Sequence, residues 1–364
     1  MIPKKIIFTH LLNDYSGSPK VLSQIIKAVQ NKGCDVKLYT GKSEDGFLSG
    51  LTDKHYAYFY KRFENKYLTL VSFMLSQVSL FFKLLKHRNE DVIIYVNTML
   101  PFGAGLAGKM MGKPVYYHIH EISLTPASFK QFLRFIVQKT ALKIIFVSKA
   151  VEEAESFENI SQQVIYNALP DALMKAAVET PYYILHDNSF NVLMVCSLKA
   201  YKGVDEFVKI ASLCQSTPHI HFTLLLNAEQ QEIDAYFEKE TLPTNITLVA
   251  RQKELVPFYK NTNLLLNLSR VDQWVETFGL TIVEAMAFGI PVIVPPVGGP
   301  AEIVRDGKEG YLVSSYETER IAGLIMELSK DEEKCLALSK AARRRAKDFK
   351  EDIFEKKIVE VIYG

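Results

Sequence analysis

Two acidic residues, Glu276 and Glu284, bracket the part of this sequence with the most chemical content. Between them lie Phe278, Gly279, Leu280 and Thr281, and the apolar residues Leu280, Val283, Ala287 and Phe288 recur at helical spacing. Gly289 ahead of Ile290-Pro291 stops that helix, and Pro291 to Val294 reads as a buried strand. A helix opening near Phe278 or Gly279 aims free backbone N–H groups at whatever precedes it, an arrangement suited to an anion and above all to phosphate. Gly279 lets the backbone approach such a ligand closely. Helical side chains lean toward the N-terminus, so Glu284 points back to the same mouth that Glu276 flanks. Carboxylates repel phosphate, but they accept short charge-assisted bonds from hydroxyl pairs, so the two acids suit sugar rings on either side of it. A first-turn acid complementing the helix dipole, with a solvated glutamate further along, fits the same spacing.

A second cluster lies in Lys113-Pro114-Val115-Tyr116-Tyr117-His118-Ile119-His120-Glu121, a strand with a polar end. Alternation places His118 and His120 on one face. Neither a cysteine nor a third ligand accompanies them locally, which argues against a metal site, and a hydrogen-bonded histidine closing a strand remains the plain alternative.

The elements that must hold these groups follow a β-α-β rhythm. Lys5 to Thr9 is a strand, Val21 to Asn31 an amphipathic helix, and Val36 to Thr40 a second strand, with Asn13 to Pro19 as the loop at the ligand-binding edge of a parallel sheet. The apolar run Tyr67 to Leu85 approaches the length of a membrane span, but Ser72, Ser76, Gln77, Ser79 and Lys83 interrupt it, so a core helix packed on the first sheet is expected. Phe129 to Lys143 is basic and amphipathic, a pattern that suits a solvated face and also an anionic membrane surface. A linker is expected from about 170 to 189, after which strands and helices alternate again: Phe190 to Cys196, His221 to Leu226, Ile246 to Arg251 and Asn263 to Leu268 as strands, Gln230 to Glu240 and Glu317 to Leu338 as helices.

The ordered run from Leu266 to Val313 resembles retaining glycosyltransferases of family 4. It combines an apolar strand, Ser269, the E-x7-E pair Glu276 and Glu284, a Pro-Val-Ile strand, Gly298-Gly299-Pro300-Ala301-Glu302-Ile303-Val304, Asp306-Gly307 and Gly310-Tyr311-Leu312-Val313. The resemblance implies the α/β GT-B fold: two Rossmann-like doubly wound domains separated by a deep cleft. The implied domains are 1–170 for the acceptor and 171–348 for the nucleotide-sugar, with a helix over about 349–364 returning to the first. Ser197-Leu198-Lys199-Ala200-Tyr201-Lys202-Gly203 is similar to the family's phosphate-binding segment; Lys202 matches its lysine, while Ser197 stands where the family has arginine. A diphosphate held by one cation is costly to bury, so help from Lys199 or Arg251 is expected. By the same resemblance Glu284 holds the ribose, Glu276 the sugar hydroxyls, His120 the sugar or acceptor, and Gly17 stands alone where the family has a glycine-rich loop. Trp274, the single tryptophan, falls on the loop before Glu276.

The composition fits an enzyme of this kind. The chain has 364 residues, 48% hydrophobic and 23% charged, with a net charge of +2, so nothing global points to nucleic acid. Cys34, Cys196, Cys214 and Cys335 are isolated, as expected of free thiols in a reducing cytoplasm, and the short run Met1 to Phe8 lacks the apolar core of a secretory signal. The expected reaction is metal-independent, cofactor-free transfer of a sugar from a UDP- or GDP-linked donor to a saccharide or lipid-linked acceptor, in the cytoplasm or on the inner face of a membrane contacted through 129–143. A sugar-nucleotide 2-epimerase of the same fold, or a non-catalytic partner of a transferase, stays open as an alternative.

Overall fold

Runs of Ile, Val, Leu and Phe, closed by glycine, proline or a polar residue, form two parallel sheets buried on both faces. The computed structural model describes residues 5–42, 45–184 and 189–364; residues 1–4 of the N-terminal run and 185–188 of the expected linker lie outside these. The chain divides into two units, Met1–Asn167 with Asp352–Gly364, and Ala168–Glu351.

The first unit runs β1 (Lys5–His10), α1 (Gly17–Gln30), β2 (Asp35–Gly41), β3 (His55–Tyr58), α2 (Lys66–Leu85), β4 (Ile93–Asn97), α3 (Phe102–Met110), β5 (Val115–Ile119), α4 (Ala127–Thr140), β6 (Lys143–Phe146), α5 (Lys149–Glu155) and β7 (Ser161–Val164). Its strands are ordered β3-β2-β1-β4-β5-β6-β7. The stepping reverses between β1 and β4, which leaves a crevice at the carboxyl ends of those two strands.

The expected helix over Tyr67 to Leu85 forms, opened by the Asn65 side chain accepting from the backbone N–H of Tyr67 and Leu68. Its packing differs from the expectation of a core helix. The buried side chains are Ser72, Phe73, Ser76, Gln77, Leu80 and Leu84, while most of the large apolar ones face outward. The reason lies in α3, whose Gly103 approaches so closely that a Cβ there would sit 2.2 Å from the Gln77 carbonyl oxygen. Only small or hydrogen-bonding residues suit such a seam, and Gln77 Oε1 accepts from the Gly103 N–H at 3.1 Å.

The second unit runs α6 (Asp171–Val178), β8 (Phe190–Cys196), a 3₁₀ turn over Ala200–Lys202, α7 (Val204–Leu213), β9 (Ile220–Leu226), α8 (Gln230–Phe237), β10 (Ile246–Val249), α9 (Val256–Lys260), β11 (Leu264–Leu266), α10 (Leu280–Ala287), β12 (Val292–Val294), α11 (Gly299–Ile303), β13 (Gly310–Leu312), α12 (Thr318–Leu328) and α13 (Glu332–Ala346). The expected linker therefore contains a helix, α6, and the helix expected over Glu317 to Leu338 is two, broken around Ser329 to Asp331. The last helix, α14 (Glu351–Tyr363), belongs with the first unit from Asp352 onward, and Lys143 Nζ there donates to the Val361 carbonyl at 2.7 Å. Strand order is β10-β9-β8-β11-β12-β13, so the reversal falls between β8 and β11. The loops leaving those two strands, 197–203 and 267–279, carry Lys202 and Glu276.

Candidate functional site

At this reversal in the second sheet, Lys202 Nζ donates to Glu276 Oε2 at 2.6 Å. The two loops are brought together by Gly203, whose φ of +80° admits few other residues and whose Cβ would fall 2.2 Å from the Leu268 carbonyl oxygen. Ser269 Oγ adds a bond to the same carboxylate oxygen at 3.3 Å. Burial by itself would push the Glu276 carboxyl up. The Lys202 charge and hydrogen bond, with Ser269 and Asn267, outweigh that and hold it below the usual carboxylate range. Trp274 stacks on Tyr201 with ring centroids 4.9 Å apart, and the Lys202 ammonium lies 5.5 Å from the Trp274 ring. Trp274 thus forms a wall beside the ion pair.

The helix expected after Glu276 begins at Leu280, with Gly279 as its N-cap in the left-handed region at φ +97° and without a side-chain cap. The first amides of a helix face out of its N-terminal end, an arrangement suited to an anion, and here the Ile282 N–H is turned back to the Gly279 carbonyl at 3.0 Å. The Glu276 carbonyl is itself pinned by the Gly299 N–H at 2.9 Å. Glu284 is 2% exposed, and its Oε2 accepts from Tyr259 Oη at 2.7 Å. Burial first, then the Glu284 charge, pushes the Tyr259 phenol well above its ordinary value, so it stays a donor.

Three further expected donor-site residues are Lys199, Arg251 and Gly17. Lys199 is exposed at the start of the 3₁₀ turn. Arg251 lies at the end of β10, held by Asn227 Oδ1 at 2.7 Å and Glu229 at 3.1 Å. Gly17 is the first residue of α1 in the first unit and is exposed.

The reversal in the first sheet gathers a separate cluster. His120 Nε2 lies 3.0 Å from Asn97 Oδ1, and Asn97 Nδ2 lies 3.2 Å from His10 Nδ1. The His118 and His120 rings are 4.4 Å apart, as their shared face requires, and His118 Nδ1 meets Tyr95 Oη at 3.0 Å. Burial holds all three imidazoles neutral: His10 falls to about 4, His118 to about 3, and His120 well below its ordinary value, with His118 and His10 adding to the effect. The Glu121 carboxyl accepts from the backbone N–H of His120 at 3.1 Å and of Met99 at 3.3 Å. Burial nevertheless lifts it to about 7. The three neutral imidazoles and Asn97 thus form a set of donors and acceptors suited to polyhydroxylated molecules. No group of three or more His, Cys, Asp or Glu placed to hold a metal occurs among the described residues.

Sequence reasoning missed Tyr259, Asn267, His10 and Asn97. The last three end or follow strands β11, β1 and β4, and a search of strand-end polar residues at both sheet reversals would have found them. Tyr259 carries no such signal.

Residues 184–345 match the family model described as "Glycosyl transferases group 1". The chain is 23% identical over 257 residues to an N-acetyl-alpha-D-glucosaminyl L-malate synthase of Bacillus anthracis, covering 66% of each chain. It is 23% identical over 290 residues to the capsular polysaccharide biosynthesis glycosyltransferase CapM of Staphylococcus aureus, covering 73% of this chain and 74% of that one. Stronger local identity is shorter: a probable sucrose-phosphate synthase of Thermosipho melanesiensis is 40% identical over 77 residues, which is 18% of its length. Anabaena HepE, solved in complex with UDP and glucose, superposes with a TM-score of 0.81 at 20% identity, over 99% of both chains. The fold is GT-B, with two Rossmann-like doubly wound sheets.

Proposed function

We propose that the protein transfers a sugar from a UDP- or GDP-linked donor to a saccharide or lipid-linked acceptor, with retention at the anomeric carbon, a reading supported by the match of residues 184–345 to the group 1 glycosyl transferases. The observation that carries this reading is the 2.6 Å Lys202–Glu276 pair beside the open end of α10. Donor binding would exchange partners within it. Lys202 turns from Glu276 to a diphosphate oxygen, and the released carboxylate accepts hydroxyl groups of the transferred sugar. Lys199 and the Phe278 to Thr281 amides share the diphosphate charge, with no metal ion assigned a part. Glu284, oriented by Tyr259, takes the ribose diol. The acceptor belongs to the first unit, where His120 meets the sugar or the acceptor.

In the transfer, the bond from the anomeric carbon to the phosphate oxygen breaks and one to the acceptor oxygen forms on the same face. The acceptor proton passes to the departing phosphate oxygen. Catalysis then lies in cations and amides fixed where the leaving-group charge develops. The relatives, a capsular polysaccharide biosynthesis glycosyltransferase and a glucosaminyl malate synthase, favour a role in polysaccharide or glycoside assembly, and the basic helix α4 suits lipid-linked acceptors.

Calorimetric titration with UDP and GDP tests the donor site, and a protein that binds neither overturns the reading. Incubation with candidate nucleotide-sugars, followed by proton NMR before the released sugar mutarotates, reports the anomer. An inverted anomer refutes retention, and an epimerised donor favours the 2-epimerase alternative.

A further inference from the structure

The 20-residue helix α2 is built inside out. Its buried face includes Ser72, Ser76 and Gln77, whereas Tyr67, Val71, Leu75, Val78 and Phe82 recur at helical spacing on the opposite side and stand 53–67% exposed. A surface helix normally turns that stripe to the core. The patch also extends beyond α2. Phe73 lies 5.8 Å from Phe102 of α3, and Phe102 lies 5.2 Å from Phe132 of α4, so the three helices pack side by side. Met110 of α3 and Phe135 of α4 are 70% and 61% exposed on this layer. Exposed apolar side chains gathered on one helical layer in this way mark an interaction site.

The charges around it say what kind of partner it fits. Helices α2, α3 and α4 carry Lys66, Lys83, Lys109, Lys130, Arg134 and Lys139 and not one Asp or Glu, in a chain whose net charge is only +2. Glu155 takes up Lys130 and Arg134. The Lys66 and Lys139 ammonium groups lie 5.3 and 5.8 Å from the rings of Tyr67 and Phe135, placing cation and aromatic ring at one level, as at a headgroup boundary.

We propose that this face seats the first unit on an anionic lipid bilayer, with α2 lying in the plane of the headgroups. A second copy of the chain would bring one lysine-bearing surface against another, and like charges oppose association. An anionic membrane supplies both the apolar medium and the missing negative charge. α2 does not cross the bilayer, because its Gln77 backbone and side chain are locked against Gly103 of α3. The expected contact through 129–143 becomes accessory: α4 buries Leu133, Ile136 and Val137 and offers only Phe132 and Phe135.

The test is co-sedimentation of the full chain with vesicles of phosphatidylcholine alone or mixed with phosphatidylglycerol. It needs neither donor nor acceptor, so it stands or falls apart from the transferase reading. Binding is expected to the anionic vesicles. It should fall by about a hundredfold or more in the Leu75→Gln, Val78→Gln, Phe82→Gln triple variant, which loses only exposed apolar side chains. The Lys66→Glu, Lys109→Glu, Lys139→Glu variant should lose about a hundredfold at low salt, at about fivefold per lysine, and it decides the matter independently if the first variant does not fold. Absence of binding, equal binding to neutral vesicles, or binding unchanged by either variant would overturn the proposal. So would a wild-type dimer in sedimentation equilibrium that the apolar variant dissolves, since the face would then belong to a second copy.

Discussion

Lys202→Met probes the site most directly, because the substitution keeps the apolar stem and removes only the charge that Glu276 depends on. Both side chains are largely buried, 17% and 18% exposed, so the carboxylate left behind has little water to turn to. Breaking a buried pair costs about 3–5 kcal/mol, and the residual exposure here lowers that to about 2–3 kcal/mol. For a unit of this size the melting point should fall by about 5–10 °C at neutral pH. The sign of the pH dependence is more telling. In the wild type the Glu276 carboxyl is held below its ordinary value, so its contribution is present above pH 4.5 and is lost as pH falls through the lowered value. Without Lys202, burial is the largest remaining influence and raises the carboxyl, so stability from this group is greatest at low pH and is lost as pH rises. Adding Glu276→Gln should remove that slope and recover most of the stability. Turnover behaves differently: losing a cation at the leaving group should cut kcat by about a hundred- to a thousandfold, and the double variant should not regain it. Urea melts between pH 4 and 8, paired with donor-consumption assays, read both. Parallel stability curves for wild type and Lys202→Met, or an unchanged kcat, would refute the reasoning.

Tyr259→Phe removes the 2.7 Å bond to Glu284 and should cost about 1–2 kcal/mol in stability while weakening UDP or GDP binding several-fold, with kcat little changed; calorimetry and steady-state kinetics separate these. Gly279→Ala forces a side chain into φ +97° with its Cβ 2.6 Å from Ile282 Cδ1, and should lose about 2 kcal/mol or more together with nucleotide affinity, measured by thermal melts and titration. Glu121→Gln tests the first-unit cluster. The raised carboxyl of Glu121 favours the folded state below pH 4.5 and loses that advantage as pH climbs to about 7, so the glutamine variant should gain on the wild type by up to about 3 kcal/mol between pH 5 and 8.

How far the sequence could be read depended on whether a residue's role was local. Both sheets were legible because parallel strands buried on two faces are short apolar runs, as in Ile93 to Val96 or Leu264 to Leu266. The Glu276 loop and α10 were legible because Gly279 and Gly289 mark the ends of a short helix within the same stretch. The bond from Tyr259 to Glu284 was not, because it joins residues 25 apart on separate helices and neither periodicity nor spacing encodes it. Nor was the joining of His10, Asn97 and His120, which depends on three strands aligning in register. The helix α2 shows the limit of pattern alone: its apolar content was plain, but which side turns inward was decided by the missing side chain at Gly103, on another helix.

The Lys202–Glu276 contact also has a consequence for ionic strength. In the proposed reaction an internal carboxylate competes with the donor for the same ammonium, so the donor must first open a bond already made. Added electrolyte weakens the donor's grip, but it loosens the internal rival as well. The two losses partly offset each other, and donor affinity should vary less with salt than the count of cations around a diphosphate would suggest.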